Sequence, residues 1–297
     1  MRKAGNVAVL VALLLAVSTG CGGEETSGTT SPPTIAPPPP PPPPPPDTTP
    51  PPPTEPGAPE LAVRVYLMLR GGRVAAARRL VPKVEAIGAE TVRQLLEGPT
   101  KTEQEFGLTT AIPTGTKFHG LDIADGVATV DLSGAFESGG GSLSMTARVA
   151  QVVYTLTQFP SVQRVAFRLD GEPVTEIGGE GILVDGVDRA DFEEVTPTIL
   201  VESPAPGETV SSPVRISGTA NTNEASFVVR LLLHAAGQRA FERVVTASSG
   251  TGTRGTFDVK VPYRVSASGP GTLVAFEVSA EDGSPQNVVE IPVRVTP

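Results

Sequence analysis

The stretch GTGTRG, Gly250 to Gly255, has the GxGxxG spacing of a dinucleotide-binding loop. In such a loop the glycines let backbone amides approach a pyrophosphate, which requires a strand before the loop and a helix after it. Here the next residues are TFDVKVPY, whose alternation predicts a strand, so a hairpin loop is the expected role. No GxxxxGK[ST] phosphate loop and no GxSxG nucleophile turn occurs. The two histidines, His119 and His234, fall in predicted strands of different regions, and with one cysteine in the chain a zinc site is not expected. Asp122, Asp125 and Asp131 surround one predicted hairpin without the spacing of a calcium-binding loop, and Asp125-Gly126 already reads as the turn. Arg164 and Arg168 alternate with Val165 and Phe167 and form a candidate interaction surface. A solvated strand face explains the same pattern. The chain is expected to use no cofactor, no metal and no catalytic constellation.

The one cysteine, Cys21, stands in a different context. Arg2 and Lys3 precede the apolar run Val7 to Val17, which is followed by Ser18, Thr19 and Gly20. Basic residues, a short apolar stretch and small residues before a cut are the order of a secretory signal. The run is shorter than the ~20 residues that span a bilayer. A cysteine directly after the small residues resembles a bacterial lipobox, with Ser18 where leucine is usual. That resemblance implies lipidation of Cys21, a palmitate-bearing anchor, and export to the outer face of the cell membrane. An ordinary secreted protein and an uncleaved N-terminal anchor are the alternatives. With no second cysteine there is no intrachain disulfide, and each domain must be stable through its core.

The chain has 297 residues and a formal net charge of −9. Removing residues 1–20 takes away Arg2 and Lys3 and no acidic residue, leaving −11. An acidic chain lacks the basic footprint that nucleic acid requires. Residues 21–60 are rich in Gly, Ser, Thr and Pro, with ten consecutive prolines from Pro37 to Pro46. Proline fixes its backbone near polyproline II, so this tether is a stiff spacer reaching on the order of 100 Å. A proline-rich ligand for a groove-type partner is the alternative reading.

Two folded regions follow. In residues 61–177, LAVRVYLMLR and RVAAARRLV read as strands around Gly71-Gly72, with Val63, Val65, Leu67 and Leu69 on one face. Residues 86–97 read as a helix ended by Gly98-Pro99, with Ala89, Val92 and Leu96 on its buried face. TKFHGLDI and VATVDLS form a hairpin, LSMTARVAQVVYTLTQF a second helix, and VQRVAFRLDG a last strand. This is an α+β pattern, two helices on one face of a small sheet. Residues 178–196 read as a connector with a short strand and one turn of helix. In residues 197–297 seven strands and no helix predict an all-β immunoglobulin-like sandwich.

The first region resembles the GerMN domain. LLEGPTKTEQEFGLTTAIPTGTKFHGLDIADGVATVDLSGAF and QVVYTLTQFPSVQRVAFRLDG carry the resemblance. ILVESPAPGETVSSPVRISGTANTNEASFVVRL resembles the germination-associated (Gmad) immunoglobulin-like domain that often follows it. The resemblance implies a cysteine pair that many relatives carry in the loop reading SSGTGTRG here, but this chain has Ser249 and Thr253 there, so such a disulfide does not transfer. The resemblance implies interaction more than chemistry, with sporulation or germination as the process in spore formers. The expected protein is therefore a non-enzymatic cell-surface lipoprotein. It would act as an interaction or scaffold module of a Gram-positive envelope, its partner an envelope protein. A wall-polymer binder using Arg164 and Arg168 is the alternative, and a peptidoglycan-active enzyme is disfavoured by the absent motifs.

Overall fold

The computed structural model describes residues 59–69, 71–179, 181–234 and 237–297. Cys21, the apolar run and the proline-rich tether lie outside the described residues. Among the described residues no helix is long and apolar enough to cross a membrane.

The first region opens on the hairpin β1 (Glu60–Leu69) and β2 (Arg73–Pro82). Then come α1 (Ile87–Leu96), α2 (Lys101–Glu105), β3 (Leu108–Thr109), β4 (Phe118–Ala124), β5 (Val127–Leu132), α3 (Ser142–Leu156), β6 (Arg164–Leu169) and β7 (Glu172–Val174). They build two sheets, ordered β2-β1-β3 and β4-β5-β6-β7, not the single sheet expected. β4 and β5 are antiparallel about Asp125-Gly126, both in the left-handed region as a two-residue turn requires. β5 and β6 are parallel, and α3 is the crossover that a parallel pair needs.

α3 packs between the sheets, which changes what its sequence means. Every residue from Met145 to Leu156 is buried, including Arg148, Gln151 and Thr155, so the helix has no solvent face over that stretch. Leu143, in the first turn, is 62 % exposed. Gln151, Thr155 and Gln158 recur at helical spacing along the edge of β1 that β2 does not cover. Gln158 accepts from the Arg64 amide at 2.8 Å and donates to the Arg64 carbonyl at 2.6 Å. Thr155 Oγ1 accepts from the Tyr66 amide at 3.0 Å, and Gln151 Nε2 donates to the Tyr66 carbonyl at 3.0 Å. The other end of Gln151 accepts from the Ala111 amide at 2.8 Å. Side chains of a helix thus replace a neighbouring strand until β3 takes over at Met68 and Leu69. β1 accordingly buries both faces, Tyr66 and Met68 as well as Val65 and Leu67, where a one-sided strand was expected. α1 buries Gly88, Thr91, Val92 and Leu95, a face rotated from the expected Ala89, Val92 and Leu96.

α2 begins in a capping box, with Thr100 and Glu103 each bonded to the other's backbone amide. The same Glu103 receives Arg79 of β2 in a bidentate pair at 2.9 and 2.6 Å, and Arg79 also donates to the Gly98 carbonyl. The TKTE signature was present in the sequence and marks this start.

Residues 176–195 hold β8 (Glu176–Ile177), β9 (Ile182–Leu183) and a 3₁₀ stretch, Arg189–Val195. Val184, Val187, Phe192 and Val195 belong to the first hydrophobic core. The connector thus holds the short strand and the turn of helix expected of it, and it is packed against that core.

The second region comprises β10 (Ile199–Ser203), β11 (Thr209–Val210), β12 (Val214–Ala220), β13 (Ser226–Leu233), β14 (Gln238–Thr246), β15 (Gly255–Val261), β16 (Gly269–Val278) and β17 (Pro285–Val295). Sheets β10-β12-β15 and β11-β17-β16-β13-β14 enclose a core of Phe227, Val229, Leu231, Phe257, Leu273 and their neighbours. All seven expected strands are present, and the two-residue β11 is additional. GTGTRG joins β14 to β15, strands of different sheets, so it is an inter-sheet loop and not a hairpin. A Cβ at Gly250 would sit 2.4 Å from the Thr222 carbonyl oxygen. Gly250 and Gly255 answer to close backbone packing and Gly252 to its positive φ, not to phosphate.

Gln151→Ala leaves the buried Tyr66 carbonyl and the half-buried Ala111 amide without their partner. It is expected to cost about 2–4 kcal/mol. A loss well under 1 kcal/mol in urea unfolding followed by circular dichroism would refute the role given to this side chain.

Candidate interaction site

The site is built on the connector, and its geometry follows from how the connector is pinned. Arg189, first residue of the 3₁₀ stretch, lies against the rings of Tyr66 and Tyr154, its guanidinium 5.1 and 4.6 Å from their centroids. It pairs with Glu202 of β10 at 2.8 Å and donates to the Tyr154 carbonyl at 3.1 Å and to Thr157 Oγ1 at 2.8 Å. The Tyr66 hydroxyl donates to Glu202 as well. Burial pushes the Tyr66 hydroxyl well above the usual tyrosine range and raises that of Tyr154. Both therefore stay neutral donors. A cation, two aromatic faces and a carboxylate from four segments form one clamp.

A second clamp lies four residues on. Arg254, the arginine of GTGTRG, grips Glu193 through two bonds of 2.8 Å and donates to the Pro197 carbonyl at 2.9 Å. Asn221 adds a third bond to Glu193 at 2.8 Å. These hydrogen bonds, Arg254 first, hold the Glu193 carboxyl below the usual glutamate range. Nearby, Thr196 bonds the Tyr154 hydroxyl at 2.7 Å, Arg78 pairs with Glu208 at 3.1 Å, and Leu200 of β10 enters the first core. The two domains are joined by interlocking side chains along this seam.

The clamped connector leaves a cleft on its outer side, about 500 Å³ in volume. Asp185, Asp188, Asp191 and Glu194 stand around it, with Phe192 and Val187 among its walls. Asp188 and Asp191 form a capping box at the start of the 3₁₀ stretch, each accepting from a backbone amide at 2.8 Å. Their carboxylates are thereby fixed in place.

Arg164 and Arg168 are exposed on β6, alternating with buried Val165, Phe167 and Leu169. They do not share one environment. Arg164 lines the acidic cleft. Arg168 pairs in register with Asp131 of β5 and Pro173 of β7. Among the chemistry-bearing residues singled out, His119 lies 3.8 Å from both Asp131 and Asp170, beyond hydrogen-bond range. Asp131 accepts instead from the Gly171 amide, and Asp170 from the Gly134 amide. Among the described residues no group of three or more His, Cys, Asp or Glu is placed to hold a metal ion. Cys21 lies outside the described residues. The connector carboxylates and Arg189 were not singled out from the sequence. Segment-by-segment charge would have found them, because VDGVDRADFEEV holds five acids in twelve residues.

Residues 64–175 match the family described as Germane, sporulation and spore germination. Residues 198–284 match Gmad2, the immunoglobulin-like domain of bacterial spore germination. The chain is 30 % identical over 131 residues to the spore germination protein GerM of Bacillus subtilis, strain 168, covering 43 % of this chain and 35 % of that protein. It thus spans about a third of the length of that relative. Solved structures similar to it include the tandem GerMN domains of the B. subtilis sporulation protein GerM. That match is 20 % identical, covers 80 % of this chain and 60 % of that one, and has a TM-score of 0.39. The first GerMN domain of the same protein is 26 % identical over 43 % of this chain and 96 % of that one, with a TM-score of 0.37.

The pairing of Glu193 makes the seam acid-sensitive. A carboxyl held below its ordinary value of 4.5 contributes stability that is complete above that value. The contribution disappears as pH falls through the lower, folded-state value. Glu193→Gln is expected to lower the melting temperature by a few degrees at neutral pH and by progressively less as the pH drops below about 4. A gap that widens on acidification would contradict the assignment.

Proposed function

From a chain that carries a Germane domain followed by a Gmad2 immunoglobulin-like domain, we propose a non-enzymatic interaction module tethered to the outside of the cell. The observation that supports this most is where the unusual polar chemistry sits. Tyr66, Tyr154 and Arg189 form a perturbed cluster bonded to Glu202, and perturbed clusters in clefts mark catalytic sites in many enzymes. Here their hydrogen-bonding groups are engaged with one another and with the backbone, joining two domains. What faces outward is an open cleft on a rigid connector, a geometry suited to docking.

The remaining parts fit this reading. Lipidation of Cys21 places the chain on the outer face of the membrane, and the proline-rich segment holds the domains away from it. The envelope protein that docks there acts in sporulation or germination where the source forms spores, the process in the names of both domain families. Recognition of an anionic wall polymer through Arg164 and Arg168 is less well supported. Four carboxylates surround the cleft that Arg164 lines, and they oppose an anionic ligand there.

Two measurements test the proposal. Metabolic labelling with a palmitate analogue is expected to mark the wild-type chain and not Cys21→Ala, and the variant is expected in the medium. Equal labelling of both would remove the anchor. For the module, photo-reactive residues at Arg168, Leu183 and Asn287 in intact cells are expected to capture a discrete protein. Turnover of a wall-derived substrate by the purified chain, abolished by one substitution, would overturn the non-enzymatic reading.

A further inference from the structure

We propose that the connector cleft receives a basic segment of the partner protein, with lysine or arginine side chains over its carboxylates and an apolar side chain against Leu183. This deepens the interaction reading and rests on it. Charge in the folded part is concentrated at this place. Residues 61–177 contain twelve acidic and twelve basic side chains, and residues 197–297 contain nine and eight. The connector, residues 178–196, contains six acids and one base. Its one base, Arg189, is committed to Glu202 and the tyrosines, and Glu193 is committed to Arg254.

Of the other connector acids, Asp185, Asp188, Asp191 and Glu194 stand around the cleft. Among the described residues, Asp185, Asp188, Asp191 and Glu194 make no ion pair within 4.0 Å. Arg164 is the single cation among the residues lining the cleft, against four acids. Glu176 adds to the same side, its carboxylate 3.6 Å from where a side chain on Gly181 would begin. Such a field attracts a basic partner and repels an anionic one, and it speeds encounter at low salt.

Charge alone leaves a small soluble cation as an equal occupant, and the apolar surface removes that equality. Leu183 lines the cleft with 66 % of its surface exposed, the highest value among the large exposed hydrophobic side chains described. Ile182 beside it is half-buried, and Phe192 is buried within the wall. A ligand that covers Leu183 and meets the carboxylates must carry apolar and basic groups together, which a protein segment does. Asp188 and Asp191 are fixed by the capping box and the connector by Arg189, so less ordering remains to be done on binding.

The test uses the full-length chain in nanodiscs of zwitterionic lipid, with empty nanodiscs as the blank. The probe is a fluorescent nine-residue peptide with four lysines and one central leucine, compared with glutamate-for-lysine and serine-for-leucine versions. The lysine–leucine peptide is expected to bind, to weaken steeply with added salt, and to lose about tenfold in affinity to Asp185→Asn/Glu194→Gln. Neither substituted carboxylate belongs to the capping box, and an unchanged melting curve establishes that the variant is folded. Leu183→Ser and the serine peptide are each expected to weaken binding several-fold. Binding that is absent at low salt, indifferent to the double variant, or matched by the glutamate peptide overturns the proposal. Capture of a protein in cells at Arg168 or Asn287 but not at Leu183 overturns it too, while leaving the interaction module intact.

Discussion

The edge of β1 that faces α3 is the constraint on which the first domain depends. A buried strand must satisfy its amides and carbonyls on both sides. β2 satisfies one side along the whole strand, and β3 covers only two residues of the other. Between Arg64 and Tyr66 the partners are Gln158, Thr155 and Gln151. Each buried backbone group left open there would cost about 1–3 kcal/mol, a large fraction of a domain's net stability. The helix therefore cannot rotate or slide without orphaning several groups at once. Its position fixes the 110–111 segment through Gln151 and fixes the crossover between β5 and β6.

The same strand carries the constraint into the second domain. Tyr66 spends its backbone on α3 and its hydroxyl on Glu202 of β10. Arg189 closes the loop by touching Tyr66, Tyr154 and Glu202 together. Breaking one member leaves another charged group in a partly buried place without its partner, which costs more than the pair contributes. The relative placement of the domains is thus tied to the register of β1, and the connector inherits that rigidity.

Much of this architecture was legible in the sequence, for reasons that also explain what was not. Strands with one wet face alternate, so β6 with Arg164 and Arg168 outward, and all seven long strands of the sandwich, could be read directly. Asp125-Gly126 and Gly98-Pro99 announced a turn and a helix end through backbone chemistry alone. α3 and β1 misled because polar residues at regular spacing look like a solvent face. Gln151, Thr155 and Gln158 have the right period for one and instead meet a strand edge, a fact that belongs to tertiary structure. The division into two sheets was hidden for the same reason, since pairing partners are not local. The packing of the connector was hidden by its composition. Gly, Asp and Glu suggest a linker, and only contact with the first core shows Val184, Val187, Phe192 and Val195 to be its anchors.

The concentration of acid on that connector is costly by itself, because like charges held close repel and favour the unfolded chain, where they separate. A sequence selected only for stability would disperse them or pair them. Some of the connector acids are explained by local structure: Glu193 by Arg254, Asp188 and Asp191 by the capping box. Asp185 and Glu194 have no such role among the hydrogen bonds of the described residues, and Leu183 beside them exposes apolar surface that burial would favour. Two unfavourable features placed together on a rigid support are more economically explained by a shared ligand than by two separate accidents. The support itself argues the same way. Two clamps and a capping box are more than a tether between independent domains requires, and they are what a preformed docking surface requires.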